Sequence, residues 1–411
     1  MAEILDDIGA PWSGTKIEDG SGLHTQTMTL NMGPQHPSTH GVLRLVLELN
    51  GETVLKAVAD IGYLHTGMEK TMEEKTYTQA ITITDRMDYL APLSNNLAYV
   101  LPVEKLLGLE IPPRAQCARV ILAELTRINS HLVWLATHAL DLGAMTVFLY
   151  CFREREQVLR LFERVSGVRM MTSYFRVGGL ARPLYPEFEE EVRAFIDAFP
   201  DRVDEYETLL TENPIFKKRT VGVGPFTADE AIDLGLSGPN LRACGVAHDL
   251  RKAQPYSGYE RFDFDVPTRE GGDVYDRYRV RMAEMRESAK IVRQGLDRLP
   301  DGPVLADAPK VVPPPKERLH DDMEALIHHF LIFTHGFDVP KGEAYVPIEG
   351  PRGEVGFYIV SDGGPKPYKA KLRPPSFVNV QALEKAIVGK MMADVVAIIA
   401  SMDFILGEVD R

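Results

Sequence analysis

The sequence predicts an α+β protein in which a central helical bundle stands between an N-terminal β-hairpin region and a C-terminal β-rich lobe. Apolar residues recur at spacings of three and four through the middle of the chain and alternate with polar residues near both ends. The dipeptide Asn50-Gly51 also falls between two alternating runs, a strong two-residue hairpin signal. With 411 residues, 45% of them hydrophobic, the chain can bury a substantial core, and no internal repeat divides it.

Residues 1–24 are mixed, polar and glycine-containing, and read as an arm or frayed end. Residues 25–64 form the N-terminal β region. Strands are expected over Thr25–Asn31, Gly41–Leu49 and Glu52–Asp60, where β-branched and alternating apolar residues gather. The segment His36-Pro37-Ser38-Thr39-His40 then lies in a loop between strands, and Pro37 and Gly41 argue against a helix through it. Residues 65–310 form the bundle. Ile121, Leu125, Ile128, Leu132, Leu135 and Ala139 make one buried stripe between a start at Pro112-Pro113 and a stop at Gly143. A second stripe runs from Tyr278 through Met282, Met285, Ala289, Val292 and Leu296 to Leu299, on a helix beginning near Val274. A shorter helix is expected near Glu187–Phe199. Residues 311–411 form an α+β lobe that opens with the stiff connector Val311-Val312-Pro313-Pro314-Pro315. Helices are expected there near Asp321–Phe333 and Met391–Ser401, and strands over Gly342–Ile348 and Gly353–Ser361 with Pro351-Arg352-Gly353 as the turn. The four regions are expected to make one compact functional unit.

Composition excludes several functions. The 59 Asp and Glu outnumber the 46 Lys and Arg, which argues against nucleic acid or anionic lipid as a partner. Cys117, Cys151 and Cys244 are far apart, so there is no disulfide framework and no CxxC pair, and a reducing compartment fits. The N-terminus does not read as a signal peptide, and the apolar run Val395–Ala400 is too short to span a bilayer. If the protein works at a membrane, other chains hold it there. The sequence has no GxxxxGK[ST] phosphate loop, no HExxH helix and no strand-following GxGxxG. It also lacks a GxSxG nucleophile elbow.

Four segments remain as candidates for chemistry. From the residues alone, His36 and His40 are accounted for equally by capping strand ends through backbone carbonyls. Thr84-Asp85-Arg86-Met87-Asp88-Tyr89 gathers two acids, a guanidinium and a phenol, and reads either as a site or as a capped helix start with a surface ion pair. Asp141 falls at the end of the first long helix, against the negative end of its dipole. Buried there, its pKa should rise unless a cation compensates, and a histidine could do so. Asp60–Lys70 places His65 and Glu69 one turn apart where the helical region begins.

The order of longer motifs adds a resemblance. LNMGPQHPSTHGVLRL, IGYLHTGMEK, DRMDYL, THALDLGAMT, the Phe152–Gln157 run FREREQ, YFRVGGL, DLRKAQPYSGYERFDFDVP, PRGEVGFYIVSDGG, RPPSFVNVQAL and the terminal GEVDR together resemble the 49-kilodalton, or D-type, subunit of respiratory complex I. That enzyme is the proton-pumping NADH:quinone oxidoreductase, and the family is similar in turn to the large subunit of nickel-iron hydrogenases. The resemblance covers the chain from about residue 25 to its end.

It implies a nickel-iron-hydrogenase-large-subunit-like fold and a quinone as substrate, with no metal in this chain. Electrons would come from a 4Fe-4S cluster on the neighbouring subunit, with which this chain would enclose the quinone headgroup. The matching residues are Tyr89 and His40, expected to bond the quinone, and Asp141, expected to pair with His40 and raise its pKa. Arg86 matches the arginine that lies against the cluster, while His36 and Thr39 would shape the pocket. Partners would be the other peripheral-arm subunits and the membrane arm, on the cytoplasmic side of a bacterial inner membrane. Whether the quinone is ubiquinone or menaquinone is left open. Many members of the family carry a histidine where this sequence has Met171, which puts in doubt the pH-dependent cluster potential associated with that histidine. Hydrogenase chemistry needs two CxxC pairs to hold nickel and iron, and the C-terminal Ser401-Met402-Asp403-Phe404-Ile405-Leu406-Gly407 has no cysteine. The remaining alternative is a scaffold subunit of a hydrogenase-related membrane complex without its own active site.

Overall fold

The computed structural model describes residues 16–18 and 24–411, so most of the expected arm lies outside the described residues. Within that arm, Lys16–Glu18 pairs antiparallel with His24–Gln26. The N-terminal sheet is a three-stranded antiparallel meander of Met28–Met32, Arg44–Asn50 and Thr53–Asp60. The hairpin forms where expected but one residue further on: Asn50 pairs with Thr53, so the loop is Gly51-Glu52, with Gly51 supplying a φ of +60°. Leu45, Leu47 and Val54 are fully buried on the inner face.

The bundle is built on two helices whose expected stripes are the ones buried. Pro113–Asp141 holds Ile121, Leu125, Ile128, Leu132, Leu135 and Ala139 at no exposure, and Val274–Asp297 holds Tyr278, Met282, Met285 and Val292 likewise. Each buried aliphatic side chain contributes about 1.5–3 kcal/mol relative to exposure. Around them lie Met68–Glu74, Tyr77–Thr84, Pro92–Leu107 and Met145–Ser166. The helix expected to stop at Phe199 runs over Phe188–Leu210 with Pro200 inside it. Its stripe of Val192, Ile196, Phe199, Val203 and Tyr206 continues across the proline, so burial outweighs the one lost backbone bond.

The C-terminal lobe carries a second antiparallel sheet, with Gly353–Ser361 between Gly342–Gly350 and Lys369–Arg373. The third strand is not predicted by the sequence, because KAKLR is too short and charged to read as one. Helices Pro375–Ile387, Met392–Met402 and Leu406–Asp410 close the chain. Of these, only the second falls where the sequence predicts a helix. The helix Met323–Thr334 forms as expected. Among the described residues, no helix is long and apolar enough to cross a membrane.

A buried ionic network joins bundle and lobe. Glu124, on the first long helix, accepts bonds from Arg127 Nε at 3.2 Å, Arg251 Nη1 at 3.1 Å, Tyr259 Oη at 2.7 Å and Ser288 Oγ at 2.6 Å. Arg127 in turn donates to the carbonyls of Gly350 and Glu349 at 2.9 and 2.6 Å, fixing the turn of the C-terminal hairpin. Burial raises the pKa of Glu124, but the Arg127 and Arg251 charges with the Ser288 and Tyr259 bonds outweigh it and hold the carboxyl at about 2.

Removing that carboxylate leaves two buried guanidiniums short of their partner, so Glu124→Ala should cost about 3–5 kcal/mol in chemical denaturation of the chain. Because its folded pKa lies below the unfolded value, the contribution of Glu124 is complete above pH 4.5 and is lost as pH falls through about 2. A variant within about 0.5 kcal/mol of the parent at pH 7 would contradict this account of the network.

Candidate functional site

The His36–His40 segment is not an open loop throughout. Pro37–Thr39 makes a single 3-10 turn, capped by His36, whose Nδ1 accepts from Ser38 N at 3.2 Å. Proline at the first position and left-handed residues after the turn (His40, φ +53°; Gly41, φ +77°) fit so short a helix. Thr39 is fully buried and its hydroxyl donates to the carbonyl of His36 at 2.9 Å, so it latches the turn that carries His40.

Asp141 ends the long helix, as the sequence indicates, but its partner differs. Ser38 Oγ donates to Asp141 Oδ1 at 3.4 Å, and no hydrogen bond or ion pair joins Asp141 to His40. Burial raises the pKa of Asp141, against which the Ser38 bond and the charge of His36 work. The carboxyl nonetheless stays above the usual carboxylate range, and the histidine whose charge acts on it is His36.

His40 turns toward the C-terminus. Its ring meets Phe404 edge to face, with centroids 5.3 Å apart. Desolvation of the ring, then the charge of Arg352, lower its pKa to about 4, although the outer side of the residue stays open to solvent. In this geometry Asp141 does not act on His40, and burial with the Arg352 charge favours the neutral imidazole.

Tyr89 follows Asp88 in the turn between the helices Tyr77–Thr84 and Pro92–Leu107. Its phenol is partly buried and has no hydrogen-bond partner among the described residues. Burial raises its pKa, offset in part by Arg352, so at pH 7 it is a proton-bearing donor. The acid beside it is fixed: Asp88 Oδ1 accepts from the backbone N–H of Leu90 and Ala91 at 3.1 and 3.2 Å, and Oδ2 accepts from Arg352 Nη1 at 2.6 Å. Arg352 Nη2 reaches Asp403 Oδ1 at 3.1 Å. Behind this ion group sits Glu408, whose carboxyl burial and Asp88 push up to about 7. Sequence reasoning misses Arg352 and Asp403 as site residues. The available signal is an arginine held in the tight turn of an apolar hairpin, and an acid in an otherwise apolar C-terminal segment.

Arg86 points elsewhere, into a cleft of about 410 Å³ that it lines with Thr66, Met68, Asp85, Met171 and Ser173. Met171 and Ser173 hold left-handed backbone at φ +55° and +41° without being glycine. Asp85 secures them by accepting from the backbone N–H of Ser173 at 3.0 Å and from its hydroxyl, while Asn96 Nδ2 donates to the other carboxylate oxygen at 2.8 Å. Strain of this kind persists only where its surroundings over-determine it. His65 and Glu69 are structural ties: His65 Nδ1 lies 2.7 Å from the carbonyl of Asp410, and Glu69 accepts from Leu372 N at 2.9 Å. Among the described residues, no group of three or more His, Cys, Asp or Glu is placed to hold a metal ion.

The arrangement offers two neutral hydrogen-bonding groups, phenol and imidazole, that share one buried cation, with a separate acid held by Ser38. NMR titration of His40 in the chain should give a midpoint near 4, unchanged in Asp141→Asn. A midpoint above 6.5 that falls in that variant would restore the His40–Asp141 pair.

Residues 141–411 match the family described as respiratory-chain NADH dehydrogenase, 49 Kd subunit. Along almost its whole length the chain is also similar to curated bacterial proteins, each named as a D-type subunit of NADH-quinone oxidoreductase. To the one numbered 2 in Chloroflexus aurantiacus it is 61% identical over 411 residues, covering 99% of this chain and 100% of that one. To the one in Geobacter sulfurreducens it is 60% identical over 387 residues, 94% and 99% of the two chains. To the one numbered 1 in Roseiflexus castenholzii it is 63% identical over 389 residues, 94% and 93% of the two. The chain belongs to the family of the 49-kilodalton subunit of the respiratory-chain NADH dehydrogenase.

Proposed function

We propose that the chain is the quinone-site subunit of a proton-translocating NADH:quinone oxidoreductase, and that the quinone headgroup is held by Tyr89 and His40. The observation that carries the site is the unpartnered Tyr89 phenol beside the Asp88–Arg352–Asp403 group whose last member adjoins Phe404, against which His40 rests. Quinone reduction takes two electrons and two protons, so the site needs donors at the carbonyl oxygens and a means of stabilising negative charge there. Tyr89 supplies a phenolic proton, and His40 a hydrogen bond from its neutral N–H, delivering the second proton only once it has itself been protonated. Their closeness to Arg352 favours an oxyanion before protonation is complete.

Reduction also changes the balance at His40. Negative charge arriving on the quinone opposes the effect of Arg352 and raises the imidazole pKa, so His40 gains a proton as electrons arrive. Asp141 and His36 border the same turn, one bonded to the hydroxyl and the other to the backbone N–H of Ser38. A 4Fe-4S cluster on a neighbouring subunit would supply the electrons, and the Arg86–Met171 cleft is the face offered to that neighbour. In this reading the chain sits with other peripheral-arm subunits on the cytoplasmic side of the bacterial inner membrane, anchored by membrane-arm partners.

Membranes carrying Tyr89→Phe test the assignment. Loss of the hydroxyl should lower quinone reduction by about 10²-fold or more, in the range of losing one positioned proton donor. NADH oxidation by ferricyanide, which draws electrons upstream of this subunit, should persist. Retention of both activities would refute the role given to Tyr89.

A further inference from the structure

We propose that Arg352 is the positioning residue of the quinone site: its guanidinium ties the segment that carries Tyr89 to the turn whose Phe404 supports His40, and so sets how the two groups meet the headgroup. The inference rests on the reading that Tyr89 and His40 bond the quinone.

Three segments distant in sequence converge on this one side chain. Arg352 lies in the tight turn between the strands Gly342–Gly350 and Gly353–Ser361 and is 1% exposed. One arm of its fork binds Asp88, the residue before Tyr89, and the other binds Asp403, the residue before Phe404. Asp88 is held by two backbone N–H groups, and Asp403 sits in left-handed backbone at φ +51° with Arg281 Nε 4.0 Å from its second oxygen. The turn itself is fixed from below, because Arg127 donates to the carbonyls of Glu349 and Gly350. Arg352 therefore cannot move without moving the hairpin, and neither neighbour of the headgroup can shift without breaking a buried ion pair.

Like the other buried arginines of the chain, Arg352 is paired with acids, and its two acids precede the two residues assigned to or beside the headgroup site. Its Nε is buried with no partner, so the guanidinium is oriented by its two acids and not by full satisfaction of its donors. The charged groups facing it are Asp88, Asp403, Glu408 and Arg281, and its own charge acts on both His40 and Tyr89. A positioning role with this charge predicts an effect on alignment and on the protonation of His40 together.

The test measures reduction of a short-chain ubiquinone analogue by membranes carrying Arg352→Met, Arg352→Lys or Tyr89→Phe, with ferricyanide reduction as the measure of assembled complex. Arg352→Met should lower kcat for the quinone at least about tenfold, as small misplacements do. Its acid limb should move to higher pH, because the cation that disfavours the imidazolium is gone. Arg352→Lys keeps the charge but not the fork, so it should return the limb while kcat stays lowered. If Arg352→Met keeps kcat and pH profile while Tyr89→Phe is inactive, the headgroup site stands and the role of Arg352 is refuted. A fall in rate with no movement of the limb also refutes it, leaving a structural residue only. An active Tyr89→Phe removes the reading on which the inference rests. Should methionine prevent assembly, Asp403→Asn removes one anchor at nearly constant volume: kcat should fall likewise while the acid limb moves to lower pH, because Arg352 has lost a countercharge, and an unchanged rate and limb refutes the role.

Discussion

At Gly407 the chain has no room for a side chain: a Cβ there would lie 2.5 Å from the carbonyl oxygen of Met87 and 2.8 Å from that of Arg86. The terminal helix thus rests directly on the backbone of the turn that leads to Tyr89. The same segment is fastened at its end, where Asp410 accepts from the backbone N–H of Gly62 and Leu64 at 2.9 and 2.7 Å. This contact fixes the Arg86–Tyr89 turn from one side, and Arg352 fixes it from the other through Asp88. Without the docked C-terminus neither Tyr89 nor the Phe404 wall behind His40 would have a defined place.

Charge buried at this depth is costly unless paired, and the pairing explains much of the molecule's organisation. Arg242 contacts Glu284 and Glu349 at 2.6 and 2.8 Å, and Arg251 contacts Asp249 at 2.6 Å. His131 Nε2 lies 2.9 Å from Glu284. Most of these groups stand on different elements, so most of the pairs are also crosslinks between them. The network runs from the bundle through Glu124 and Arg127 to the hairpin turn, and the turn presents Arg352 to the site. Stability and site geometry thus share one set of buried arginines, linked by ion pairs and by hydrogen bonds to the hairpin backbone.

The parts of the fold legible in the sequence are those set by local rules. Periodicity locates both long helices and their buried stripes, and Asn50-Gly51 locates its hairpin. What escapes depends on distant partners. Pro200 reads as a helix end because its cost is local, while the packing that overrides it is not. Lys369–Arg373 becomes a strand only because Gly353–Ser361 offers it an edge. At the site, the resemblance points to Tyr89, His40, Asp141 and Arg86, yet no spacing rule can tell that Asp141 meets Ser38 and not His40, or that Thr39 turns inward. The environment of His40 is hidden for the same reason, since its burial, and the Arg352 charge that adds to it from 312 positions further along the sequence, come from distant segments.

The most direct measurement is photoaffinity labelling of the assembled complex in native membranes with a headgroup-reactive quinone analogue, followed by peptide mapping of this chain. A headgroup held between Tyr89 and His40 predicts adducts in the segments 36–42 and 86–90 that excess unlabelled quinone suppresses. Suppressible adducts confined to other segments, with none in these two, would contradict the account.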